Sequence, residues 1–157
     1  MAVFTTVSRE DLTHWLQSFD LGTLLGFEGI ASGIENTNYF VDVERGRFVL
    51  TLFERLSAAE LPFYLSLMKH LAHHDIACPD PVPDRSGRLL STLNRKPAAL
   101  VTRLSGRAEM APTAAHCAVV GTTLARMHLA AVDYPGTQPN RAACPGGSRP
   151  PRRCCPS

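Results

Sequence analysis

Lysine is almost missing from this chain of 157 residues: of 16 basic Lys and Arg side chains, only Lys69 and Lys96 are lysines. Aromatic residues make up 7% with a single tryptophan, and charged residues 19%. No apolar run approaches the roughly 18 residues of a membrane span, and MAVFTTVSREDLTHW lacks a basic stretch followed by an apolar one. Membrane insertion and secretion are therefore not expected, and the five cysteines read as reduced thiols of a cytoplasmic protein. No C-x-x-C pair occurs, which argues against zinc. Neither G-x-x-x-x-G-K-[ST] nor G-x-G-x-x-G occurs, so the two common phosphate-loop signatures are excluded.

What is present divides in two. The chain is 45% hydrophobic, enough for one domain with a core, and unlike a disordered, collagenous or coiled-coil sequence. The last stretch, RAACPGGSRPPRRCCPS (141–157), has four arginines, three cysteines and no acid, Leu, Ile, Val or aromatic residue. Removing those four arginines from a net charge of +2 leaves −2 for residues 1–140, so the basic balance belongs to the tail alone. A net charge this small makes no case for nucleic acid.

Ser8 and Asp11 have the spacing of a helix cap, followed by Leu12, Trp15, Leu16 and Phe19 on one helical face. Residues 23–31, 37–43 and 48–54 read as strands, with a polar SGIEN turn after the first and Glu44-Arg45-Gly46 as a hairpin turn. Ser57 with Glu60 has capping-box spacing before Leu61, Leu65, Met68 and Leu71. CPDPVPD (78–84) is an extended connector, Arg85-Ser86-Gly87 a turn between short strands, and residues 96–104 another strand. A helix over 113–130 places Cys117, Val120, Leu124, Met127 and His128 along one side, and Cys78 and Cys117 are expected buried or half-buried. Without βαβ alternation, the expected class is α+β: an antiparallel sheet of about five strands with a packed helix.

In GIASGIENTNYFVDV, a turn between antiparallel strands can offer successive backbone N–H groups to an anion, with Gly33 allowing close approach and Ser32, Asn36 and Asn38 adding donors. A plain hairpin loop explains the same residues. The strand end and RLSG after it can present backbone groups to an adenine edge, or be a linker. MAVFTTVSREDLTHWLQSFDLG, GIASGIENTNYFVDVERGRFVLTLFER, LPFYLSLMKHLAHHDIACPDPVPDRSGR, KPAALVTRLSG and AAHCAVVGTTLARMHLA together resemble the bacterial homoserine kinases of the aminoglycoside-phosphotransferase type, a protein-kinase-like superfamily. The resemblance covers about residues 1–140.

The resemblance implies a kinase-like N-terminal lobe over 1–104 and a hinge with the first helix of the C-terminal lobe over 105–140, while the composition of 141–157 reads as a disordered tail. It implies ATP and Mg²⁺ as cofactors and L-homoserine as substrate. Ser32, Gly33, Ile34, Glu35, Asn36 and Asn38 would form the loop over the phosphates, and Thr102, Arg103 and Leu104 the hinge beside adenine. In protein kinases a strand lysine pairs with a glutamate of the following helix. Glu60 lies near that helix start, but Thr51 stands about where the lysine belongs, leaving Arg55, Arg103, or Mg²⁺ with the backbone to serve the phosphates. The alternatives are a kinase for another amino alcohol or an aminoglycoside, or a non-enzymatic α+β module whose basic tail contacts an anionic partner.

The family's catalytic segment, of the form H-x-D-L-x-x-x-N, and the Asp-Phe pair after it do not occur, and Asp133 is the only carboxylate after Ala130. No catalytic or metal-ligating residue is therefore assigned, and the chain is expected to be truncated and inactive. GC-rich codons for Ala142–Gly147, shifted by one base, can encode Arg-Gly-Leu-Pro-Trp-Trp. A frameshift near Asn140 is the expectation, and resequencing the gene decides it. Without the missing lobe the 113–130 helix should show its apolar side to solvent.

Overall fold

The computed structural model describes residues 3–31 and 34–139. Ser32, Gly33 and the expected tail, 141–157, lie outside the described residues. The elements are α1 (Arg9–Leu16), β1 (Leu24–Gly29), β2 (Asn36–Val43), β3 (Gly46–Phe53), α2 (Leu61–His73), β4 (Ser91–Leu93), β5 (Lys96–Thr102) and α3 (Ala114–Ala130), closed by a 3₁₀ turn, Ala131–Asp133. The five strands form one antiparallel sheet in the order β1-β2-β3-β5-β4. This is the expected α+β architecture.

The alternation of β2 decides which face is covered. Thr37, Tyr39, Val41 and Val43 are buried, while Asn36, Asn38, Phe40 and Asp42 between them are only partly so. The buried set packs with Leu50 and Leu52 of β3, Leu100 of β5 and the α1 residues Leu12, Trp15 and Leu16. Ser8 caps α1 by accepting from the Asp11 N–H at 3.0 Å, as its spacing predicts. Trp15 anchors that helix: its ring lies 4.7 Å from Phe19 and its indole N–H donates to Ser91 Oγ at 2.9 Å.

Four local expectations are corrected. The second helix begins at Leu61 rather than at the Ser57 cap, because Ser57 and Glu60 close a turn of their own. Glu60 Oε2 accepts from the Ser57 N–H (3.1 Å) and hydroxyl (2.7 Å), and Pro62 then opens the helix, where its missing N–H costs nothing. The third strand starts two residues earlier than the apolar run, since its ladder with β2 continues to Val43 opposite Gly46. The turn joining β4 to β5 is Asn94-Arg95, both with positive φ (49° and 63°), a conformation in which Asn is tolerated and Arg is unusual. The Asp84–Arg88 turn upstream is held differently. The buried Asp84 carboxylate accepts from the N–H groups of Ser86 (2.8 Å) and Arg88 (2.9 Å), and these bonds, the Arg88 N–H foremost, hold its carboxyl below the ordinary value. Finally, Cys78 is half-buried but Cys117 is exposed.

Beyond β5 the packing changes. No residue of α3 is buried, and Val119, Val120, Leu124 and Leu129 are exposed. Its end is tied to α2: His70 Nε2 donates to the Ala130 carbonyl at 2.8 Å, and the Tyr134 ring sits against Phe63 and His70 at 5.7 and 5.3 Å. No helix among the described residues is long and apolar enough to cross a membrane.

Candidate functional site

The face of the sheet turned away from α1 forms the back of a cleft of about 490 Å³. Phe40 of β2, Val49 and Phe53 of β3 and Val101 of β5 give it apolar walls, with Met68 of α2 and Leu104 beyond β5 closing the sides. Thr51 and Thr102 bring hydroxyls into it. A flat aromatic ligand with a polar edge fits such a slot: apolar walls on both sides and few polar groups to orient it.

Two ends are defined by strand register. Phe48 lies opposite Thr102, so Arg103 and Leu104 leave the sheet at one end. Asn36 lies opposite Phe53, so Arg55 lies beyond the other end, beside the β1–β2 turn. At the first end, Thr102 is fixed by the connector: its N–H donates to the Asp80 carbonyl (2.9 Å) and its hydroxyl accepts from the Asp80 N–H (2.8 Å). Arg103 and Leu104, where the chain leaves the sheet, line the cleft at this end. The Arg103 guanidinium lies 5.3 Å from the Phe40 ring centroid, and Arg47 approaches the same ring at 4.7 Å. In the middle, Thr51 donates to Asn38 Oδ1 at 2.9 Å. Asn38 is thus held on the cleft face by Thr51.

The charges sort themselves. Lys69 pairs with Asp80 at 2.9 Å and Lys96 with Glu54 at 2.9 Å, so both lysines are engaged within the fold. Arg55 pairs with Glu35 at 3.8 Å, both well exposed. The Cys78 thiol is pushed up by burial and by the Asp80 charge, and so stays protonated at neutral pH. Among the described residues no group of three or more His, Cys, Asp or Glu side chains is placed to hold a metal ion.

Of the residues singled out in the sequence, Thr51, Thr102, Arg103 and Leu104 line the cleft, and Asn38 joins them through Thr51. Asn36 opens β2, while Ile34 and Glu35 are exposed in the turn and do not line the cleft. Ser32 and Gly33 lie outside the described residues. The apolar walls were missed. Their signal was the alternate set of β2 and β3, Phe40, Val49 and Phe53, too apolar for a sheet face open to water.

The model of the phosphotransferase enzyme family matches residues 26–154. The homoserine kinase of Burkholderia multivorans is 56% identical over 145 residues, 92% of this chain and 44% of its own length. Those of Burkholderia cenocepacia and Paraburkholderia phytofirmans are each 54% identical with the same coverage. The chain thus spans less than half the length of the curated relatives it matches. Among solved structures, amicoumacin kinase hAmiN, in complex with AMP-PNP, Ca²⁺ and Ami, shares the fold with a TM-score of 0.65 at 16% identity, over 84% of this chain and 42% of that one. Sequence match and kinase-like sheet agree, and the chain belongs to the phosphotransferase enzyme family.

Proposed function

We propose that this chain is the ATP-facing part of a homoserine kinase, which transfers the γ-phosphate of ATP to the L-homoserine hydroxyl and gives O-phospho-L-homoserine, a step of threonine biosynthesis in the cytoplasm. The observation that carries it is the 56% identity with a homoserine kinase, sustained over 145 residues. The cleft supports it. Adenine would lie flat against Val49 and Val101, with its edge toward Arg103 and Leu104. The phosphates would then extend past Thr51 and Asn38 toward the β1–β2 turn (Ser32 to Asn36), where Arg55 is the available cation.

With both lysines already paired, the strand-lysine role falls to Arg55 and the backbone at that end, and Arg103 serves the adenine end. Glu60 accepts from Ser57 and is given no part in the site. Mg²⁺ would supply charge neutralisation between the phosphates, but the described residues offer no ligand set for it, so no step is derived through it. The same holds for the base that accepts the homoserine proton.

The test is a pair of measurements on the 157-residue chain. Calorimetric titration with ATP should show binding, weakened by Val49→Trp, which fills the slot. Incubation with ATP, Mg²⁺ and homoserine should yield no phosphohomoserine. Turnover at an ordinary kinase rate would overturn the assignment of the chemistry to residues outside this chain.

A further inference from the structure

The face opposite the cleft carries a buried polar cluster at the turn end of the sheet. Residues 3–7 lie across it. Thr37, with no exposed surface, accepts from the N–H groups of Phe4 (2.9 Å) and Thr5 (3.0 Å) and donates to Glu54 Oε1 (2.7 Å). Thr5 donates its own hydroxyl to the same oxygen at 2.7 Å, and Lys96 pairs with Glu54 Oε2 at 2.9 Å. Tyr39 completes the cluster, donating to the Thr5 carbonyl (3.1 Å) and accepting from the Val7 N–H (3.2 Å). With two N–H groups donating to it, the Thr37 hydroxyl can only donate onward, and Glu54 Oε1 is the acceptor that receives it.

A second observation comes from β1. A Cβ at Gly29 would stand 3.0 Å from the Val3 methyl, so glycine there lets the segment approach. Residues 3–7 therefore touch both strands at the mouth of the β1–β2 turn: Gly29 entering it and Thr37 leaving it. On the opposite face, one residue either side of Thr37, stand Asn36 and Asn38, the latter bonded to Thr51.

We propose that residues 3–7 are a strap that fixes the mouth of the β1–β2 turn, with Thr37 and Glu54 as positioning residues for the phosphate end of the cleft. They touch no ligand. They hold Asn36, Asn38 and Thr51 in register from behind, and a buried, fully bonded cluster does this with little slack. Loosening it frees the turn end while leaving the adenine end, across the sheet at Thr102, in place. The inference rests on the nucleotide reading of the cleft.

The experiment compares ATP and adenosine binding by the 157-residue chain and by Thr37→Val, which keeps the shape but leaves two N–H groups without an acceptor. ATP affinity should fall about tenfold and adenosine affinity change by less than about twofold. Thr37→Ser should restore ATP binding, and Leu12→Ala, which destabilises the core under α1, should leave both affinities unchanged. Thr5→Val, a milder cut in the same cluster, serves if Thr37→Val does not fold. Unchanged ATP affinity, or equal loss for both ligands, overturns the strap. If the unmodified chain binds neither ligand, the nucleotide reading fails instead. The strap is then judged by hydrogen exchange: Thr37→Val must accelerate the amides of Ile34–Asn38 relative to those of α1, and no acceleration overturns it.

Discussion

Every buried apolar side chain among the described residues lies between Val7 and Val101, and the segment from Thr102 to Pro139 contains none. The first region is held by a core that α1 and the sheet share. The second is held by a few directional contacts at one end of α3: the His70–Ala130 bond, the Tyr134 ring between Phe63 and His70, and Tyr134's hydroxyl on Ser66 and the Phe63 carbonyl. Burial scales with area and is spread over many residues, so it survives small changes. Contacts of the second kind are few, so one substitution can release a whole helix.

The largest test of that contrast is Leu50→Ala in the fully buried centre of β3 against Leu124→Ala on α3. The first should cost about 2–5 kcal/mol in denaturant unfolding, and the second less than about 0.5 kcal/mol. Next comes Tyr134→Ala, which removes two aromatic contacts and the hydroxyl bonds to α2. It should cost about 1–2 kcal/mol in the local opening of α3, read by hydrogen exchange, with the sheet amides unchanged.

A pH series sharpens the comparison further. Burial works to raise the Glu54 carboxyl, but the hydrogen bonds from Thr5, Lys96 and Thr37 and the Lys96 charge outweigh it and hold it below its ordinary value. Its contribution is therefore complete above the unfolded carboxylate pKa and is lost as pH falls through the lower folded value. The stability gap between the unmodified chain and Glu54→Gln should be widest near neutrality and close in acid, while α3 exchange shows no such dependence. The smallest effect is chemical. In the native chain a maleimide should modify exposed Cys117 before half-buried Cys78, as peptide mapping will show, and equal rates would mean that the connector around Cys78 is open.

Much of this was legible in the residues. Ser8 with Asp11, the alternation of Tyr39, Val41 and Val43, and the apolar spacing of Leu61, Leu65 and Leu71 each report a local preference that the fold keeps. The strand read over 96–104 ends two residues earlier, at Thr102, and the singled-out Thr102, Arg103 and Leu104 line the cleft there. Other features depend on distant partners. Asn94-Arg95 carries no glycine, so nothing local marks it as a hairpin turn, and only the pairing of Ser91–Leu93 with β5 forces the positive φ values. The role of Thr37 was hidden because its partners stand 32, 33 and 17 residues away. The ion pairs of Lys69 with Asp80 and of Lys96 with Glu54 were equally hidden, since those partners stand 11 and 42 residues away.

The bare flank of α3 has a calorimetric consequence. The heat-capacity increment of unfolding arises mainly from apolar surface that becomes newly wet, and α3 is wet already. Its melting therefore adds almost nothing to that increment. A chain of this length would ordinarily show about 2 kcal/mol/K, but a unit of about a hundred residues gives only ~1.2–1.5 kcal/mol/K. The baseline step of a single scan thus measures how much of the chain folds as one piece.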